Sequence, residues 1–266
     1  MDLGQLQRLN RGWRWWLLVV MTAAAILGFA ACRPNPPAPL GKLQISVSIA
    51  PQRYFVERVG GEFVTVNVMV PPGAEPHTFE PKPQQLQALS QADAYLKIGT
   101  EFEAAWLGRI QALHPTMVMV DTTQGIERQP LPGGSAGAAP DPHIWLSPAL
   151  VKLQTQTIYQ ALAALDPPHQ PQYQANLRAF LADIDRLDGE IRQALQGVKN
   201  RRFLVFHPSW GYFARDYDLE MITIQVGGQE PSAAELVDLI RRAQQAHLRV
   251  VFAQPQFSQQ AARTLA

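Results

Sequence analysis

The chain has 266 residues, with 23 basic residues, 22 acidic residues and one cysteine. So even a charge balance leaves no electrostatic footprint for nucleic acid. A lone cysteine excludes a disulfide framework and a thiolate metal cluster, so any metal site must use nitrogen and oxygen ligands.

Residues 1–14 carry Arg8, Arg11 and Arg14 and lead into residues 15–31, an apolar run without a single charge. The run is slightly short for a bilayer span, which takes about 20 apolar residues. A basic start, a short apolar stretch and small residues at its end describe a secretory signal. It closes on Phe29-Ala30-Ala31-Cys32. This resembles the lipobox of bacterial lipoproteins, where cleavage leaves a diacylglyceryl-modified cysteine as residue one; Phe29 stands where Leu is usual. An uncleaved membrane anchor and an ordinary cleaved signal are the alternatives, and all three export the body. The expectation is therefore a signal peptide over residues 1–31, lipidation at Cys32 and a place in the bacterial cell envelope, anchored at the periplasmic or outer face of a membrane. Removing residues 1–31 leaves 20 basic and 21 acidic residues. Residues 32–41, rich in proline, read as a semi-rigid tether.

The body, about 225 residues from Lys42 onward, suffices for one large domain or two small lobes. Residues 45–49, 64–70, 94–98 and 117–120 are short, apolar and rich in β-branched side chains, which predicts buried strands. Residues 53–59, 83–92 and 102–113 between them have helical spacing. Such alternation predicts an α/β fold with a mostly parallel sheet covered by helices. Residues 124–142, with two adjacent glycines and several prolines and alanines, predict a surface loop. From about Gln170 to Val198, Tyr173, Leu177, Phe180, Leu181, Ile184, Leu187, Ile191, Leu195 and Val198 recur in steps of three and four. One apolar stripe on a helix of roughly 40 Å follows, with Gly197 and Asn200 as a stop. Strand and helix then alternate again: residues 203–206, 221–226, 232–247 and 250–253. The expected layout is a first α/β lobe over 42–169, a linking helix over 170–199 and a second α/β lobe over 200–266. A single α/β domain with one long helix is the alternative. Residues 258–266 read as the opening turns of a helix with no closing signal, and the second lobe has three strands where the first has four. That lobe is expected to be C-terminally incomplete.

Six histidines fall into two kinds. His114, His169 and His247, at helix ends and in a proline-rich turn, read as solvated surface residues. His77, in Pro71-Pro72-Gly73-Ala74-Glu75-Pro76-His77, follows the second strand. His143 follows Asp141-Pro142 at the exit of the 124–142 loop. His207 ends Phe203-Leu204-Val205-Phe206-His207. Ligands of open α/β sheets bind beyond the carboxyl ends of strands, so all three positions suit a shared metal site. Zinc takes imidazole nitrogen at about 2.0–2.1 Å and prefers four tetrahedral ligands, so three histidines leave one position open. Each ligating ring also needs its second nitrogen held by an acceptor; Asp141, Glu75 and Glu80 are nearby in sequence.

Three stretches make a resemblance specific. Pro72-Gly73-Ala74-Glu75-Pro76-His77-Thr78-Phe79-Glu80-Pro81, Asp141-Pro142-His143-Ile144-Trp145-Leu146-Ser147-Pro148 and His207-Pro208-Ser209-Trp210-Gly211-Tyr212-Phe213-Ala214-Arg215-Asp216-Tyr217 are similar, in order, to the metal motifs of the ZnuA/TroA family. Its members are the zinc and manganese solute-binding proteins of ABC importers. Gly227-Gly228-Gln229-Glu230-Pro231-Ser232 and residues 252–257 match as well. The resemblance implies two lobes bridged by a rigid helix, a metal held between them by His77, His143 and His207, and delivery to a membrane permease by a monomer that is not an enzyme. Manganese-selective members tend to carry a carboxylate at the third position, so His207 implies Zn2+ over Mn2+, in keeping with the preference of imidazole for zinc. Two departures stand out. Residues 124–142 contain no histidine, which removes a metal-scavenging loop, and the family's fourth ligand, an aspartate, would lie beyond Ala266. Glu230 is the nearest substitute, although the family pattern does not use it. A zinc hydrolase, an adhesion lipoprotein and a binder of organic solutes are the competing readings. The hydrolase lacks any His-Glu-x-x-His motif.

Overall fold

A computed structural model describes residues 41–71, 74, 79–131, 139–225, 232–248 and 250–254. The signal, Cys32, the tether up to residue 40, His77, Glu230 and residues 258–266 lie outside the described residues. Strands β1 (Leu43–Val47), β2 (Val64–Val68), β3 (Ala94–Lys97) and β4 (Val118–Asp121) form one sheet in the order β2-β1-β3-β4. Every pairing in it is parallel, with Ile45 opposite both Val66 and Ala94. Helices α1 (Ala50–Gly60), α2 (Pro83–Leu89) and α3 (Glu101–Leu113) provide the crossovers. A second parallel sheet follows, β6 (Glu220–Thr223), β5 (Arg202–Val205) and β7 (Val251–Phe252) in that order, with α6 (Gly211–Asp216) and α7 (Ala233–Gln245) between its strands. This is the two-lobed α/β architecture that the alternation of apolar runs predicts.

Side chains alternate across the first sheet with the period of two that a pleated strand imposes. Ala94 and Leu96 point into one apolar cluster, with Ile45, Val47, Val56 and Val59, while Tyr95 joins the other, with Ile98, Phe102 and Ile110. Both faces are covered, as parallel sheets require. Helix α5 (Gln170–Ala194) buries Tyr173, Leu177, Phe180 and Ile184 on the first cluster. Each such side chain is worth about 1.5–3 kcal/mol. The stripe leaves the core after Ile184: Leu187 is 47% and Val198 41% exposed. The helix also ends at Ala194, four residues short of the predicted stripe, and Gly197 adopts φ +76° just beyond it. Its far end is tied to the second lobe instead. Tyr217 donates to Asp188 at 2.8 Å, Arg192 lies over the Tyr217 ring at 5.1 Å, and Arg201 donates to the Leu195 carbonyl at 3.1 Å.

Two helices have no counterpart in the sequence reading. Helix α4 (Pro148–Leu165) begins at an N-cap, Ser147, whose hydroxyl accepts from Leu150 N at 3.1 Å. Its buried face includes Gln154 and Thr155 beside Val151, Ile158 and Leu162, and these polar members blur the apolar period. Helix α6 is too short to show one. Among the described residues no helix is long and apolar enough to cross a membrane.

Candidate metal centre

His143 opens a 3₁₀ turn, Ile144–Leu146, directly after Asp141-Pro142. Asp141 Oδ1 accepts twice from it, from the backbone N–H at 2.9 Å and from ring Nδ1 at 2.6 Å. Both residues are buried, at 3% and 1% exposure. His207 stands two residues beyond the carboxyl end of β5, and its Nδ1 lies 2.7 Å from Gln225 Oε1. Gln225 reaches that place because backbone pairing with the β5 segment continues past the end of β6: Ile224 N donates to Val205 O and Gln225 N to Phe206 O, both at 2.9 Å.

These contacts determine what the rings present. A carboxylate oxygen and an amide oxygen only accept, so both Nδ1 atoms must carry the proton. In the neutral imidazoles each Nε2 is then a lone-pair donor to a metal. The two Nε2 atoms face each other at 3.2 Å, the rings 5.1 Å apart between centroids and inclined at 71°. Two ligands at 2.0–2.1 Å from a tetrahedral zinc stand about 3.3 Å apart, so the pair matches one edge of such a site. Asp141 Oδ2 is buried and has no hydrogen-bond partner among the described residues. The other oxygen, Oδ1, holds the His143 ring from behind, as an acceptor behind a ligating imidazole does. Trp145 flanks the site, its ring 5.0 Å from that of His143.

Of the three predicted ligands, the structure brings His143 and His207 together, and His77 is outside the described residues. Among the described residues no group of three His, Cys, Asp or Glu side chains is arranged to hold a metal ion. The remaining histidines separate further than expected. His114 caps α3 and contacts Thr116, and His247, two residues past the end of α7, lies in the left-handed region at φ +54°. His169 is not a solvated surface residue. It stacks on Phe63 at 4.0 Å between centroids, and its Nδ1 lies 2.6 Å from Asp166 Oδ2, which also accepts from Tyr173 at 2.6 Å. Asp166 is nearly buried, and it draws the ring inward.

Sequence reasoning named Asp141 as a neighbour of the site but missed Gln225. No signal in the chain marks an amide two residues past a strand as an imidazole acceptor. It also missed a buried polar cluster at the carboxyl ends of β1 and β3. Glu103, in the first turn of α3, accepts from Ile98 N at 2.8 Å, from Gly99 N at 2.5 Å and from Ser48 Oγ. Ser48 Oγ also lies 2.6 Å from Tyr95 Oη. Burial pushes the Glu103 carboxyl above the ordinary carboxylate range, against the pull of these hydrogen bonds.

Comparison with known proteins gives a consistent result. The family model of the periplasmic zinc-uptake complex component A, ZnuA, matches residues 45–266. A Treponema pallidum protein named for metal binding is 30% identical over 269 residues, covering 93% of this chain and 84% of its own. The high-affinity zinc uptake system protein ZnuA of Bacillus subtilis is 26% identical over 270 residues, covering 94% and 84%. A crystal structure of a ZnuA deletion mutant with zinc bound superimposes with a TM-score of 0.79 at 52% identity, covering 84% of this chain and 85% of the other.

Proposed function

The chain belongs to the ZnuA family of periplasmic zinc-uptake components, and from that premise we propose that it captures Zn2+ outside the cytoplasmic membrane and hands it to an ABC-type permease. The family is one of metal-binding solute-binding proteins rather than enzymes. The observation that carries the zinc reading is the pair of opposed Nε2 atoms at 3.2 Å, each ring oriented from behind by an acceptor. His143 and His207 supply two ligands from the two lobes, and His77, which follows β2 in sequence, supplies a third. The lobes are residues 42–169 and 200–266, joined through residues 170–199, and the protein works as a monomer. Three imidazole ligands support zinc over manganese, as do the zinc-uptake name of the Bacillus subtilis relative and the zinc bound in the ZnuA deletion mutant. Cys32 carries the lipid that keeps the carrier at the membrane beside its permease.

Zinc titration against a chromophoric chelator tests the site. The expected result is one Zn2+ per chain, with His77→Ala, His143→Ala and His207→Ala each weakening binding by about two orders of magnitude or more. Unchanged affinity in the His143 and His207 variants would sink the proposal. Mn2+ bound more tightly than Zn2+ would replace the metal but keep the site. Cys32→Ser is expected to release the protein from the membrane fraction.

A further inference from the structure

His207 and helix α6 are separated by only three residues, Pro208, Ser209 and Trp210. The helix belongs in sequence to the second lobe, yet Tyr212 is fully buried in the cluster formed by Tyr95, Ile98 and Ile144 of the first. Its hydroxyl donates to the Asp141 carbonyl at 2.8 Å and accepts from Gln129 N at 3.0 Å. Burial holds the Tyr212 phenol above its ordinary value, so it remains a donor at any physiological pH. One helical turn later Asp216 accepts from the Ser147 hydroxyl. Residues four apart share a helix face. One face of α6 therefore grips residues 141 and 147, the two ends of the segment that carries His143.

We propose that Tyr212 and Asp216 are positioning residues that set the His143 ring against His207 across the two lobes. The proposal rests on His143 and His207 being metal ligands. The physical reason is tolerance. A metal site accepts ligand distances only within about 0.2 Å of ideal, whereas two lobes joined by a single helix have no such precision. The chain solves this by running the support for one ligand directly out of the segment that carries the other. Asp141 is the junction: its carboxylate orients the His143 ring, and its carbonyl is held by the tyrosine that follows His207.

A double-mutant cycle separates positioning from a general contribution to stability. Zinc affinity is measured by chelator competition for the parent, Tyr212→Phe, His143→Ala and the combined variant, with thermal midpoints recorded alongside. The phenylalanine keeps the ring in the apolar cluster and removes only the hydroxyl. The expected result is about tenfold weaker zinc binding for Tyr212→Phe in the parent, and less than a twofold effect once His143 is gone. An equal loss in both backgrounds would overturn the positioning role and leave the ligand assignment standing. Unchanged zinc affinity in His143→Ala would overturn both. Asp216→Ala, measured through the same cycle, is expected to show the same dependence on His143 and decides the matter should Tyr212→Phe fold poorly.

Discussion

Replacing Gln225 with leucine removes the acceptor behind His207 while nearly preserving the volume of the side chain. Gln225 is 7% exposed, and its Oε1 lies 2.7 Å from His207 Nδ1. Its backbone N–H donates to Phe206 O and is untouched by the change. In the parent the amide oxygen holds the proton on Nδ1 and leaves the Nε2 lone pair facing His143. In the variant a buried N–H loses its acceptor, at a cost of about 1–3 kcal/mol. The free protein relieves that cost by moving the proton to Nε2, but zinc must displace it again. Zinc affinity is therefore expected to fall by about 10–100-fold, equivalent to about 1.4–2.7 kcal/mol. Gln225→Glu retains an oxygen acceptor and adds charge, so it is expected to bind zinc at least as tightly as the parent. Chelator competition at pH 7 measures both, with circular dichroism confirming the fold. If Gln225→Leu stays within twofold of the parent, or if both variants lose affinity equally, the orientation argument is wrong.

Burial keeps the folded-state pKa of Glu103 above its unfolded value, so the native state binds the extra proton. Its contribution to stability is greatest below the unfolded carboxylate pKa and declines as pH rises towards the folded one. Glu103→Gln should therefore gain in urea stability relative to the parent between pH 4 and 8; a difference that is flat or shrinks over that range contradicts this. At Gly60, the last residue of α1, an added Cβ would stand 2.4 and 2.6 Å from the two methyls of Val64. Val64 is 6% exposed and paired in β2, so Gly60→Ala is expected to cost about 1–3 kcal/mol in urea unfolding. Gly108→Ala is its control: nothing lies within 4 Å of the new methyl in the interior of α3, and a gain of up to about 1 kcal/mol is expected. If Gly60→Ala proves as benign as Gly108→Ala, the packing argument at the end of α1 fails.

Much of this protein is legible because the signals are local. The runs at 45–49, 64–70, 94–98 and 117–120 mark four strands to within two residues, since a strand buried on both faces must be apolar nearly throughout. His207, just past the end of β5, is legible for the same reason. Helix α4 was not, because Gln154 and Thr155 occupy buried positions that a periodic pattern reserves for apolar residues. His169 read as a surface residue because Asp166 and Phe63, which hold it, are identified only once the chain is folded.

The proposed imidazole ligation rests on residue types, on the lack of thiolates and on the resemblance of three stretches to a family's metal motifs. The chain order cannot state that Nε2 of His143 and Nε2 of His207, 64 positions apart, face each other at 3.2 Å. Nor can it state that one ring leans on a carboxylate two residues away and the other on an amide 18 residues away. Those distances are set by how two sheets and the short helix α6 pack against one another, and side chains brought together by packing leave no periodic trace along the chain.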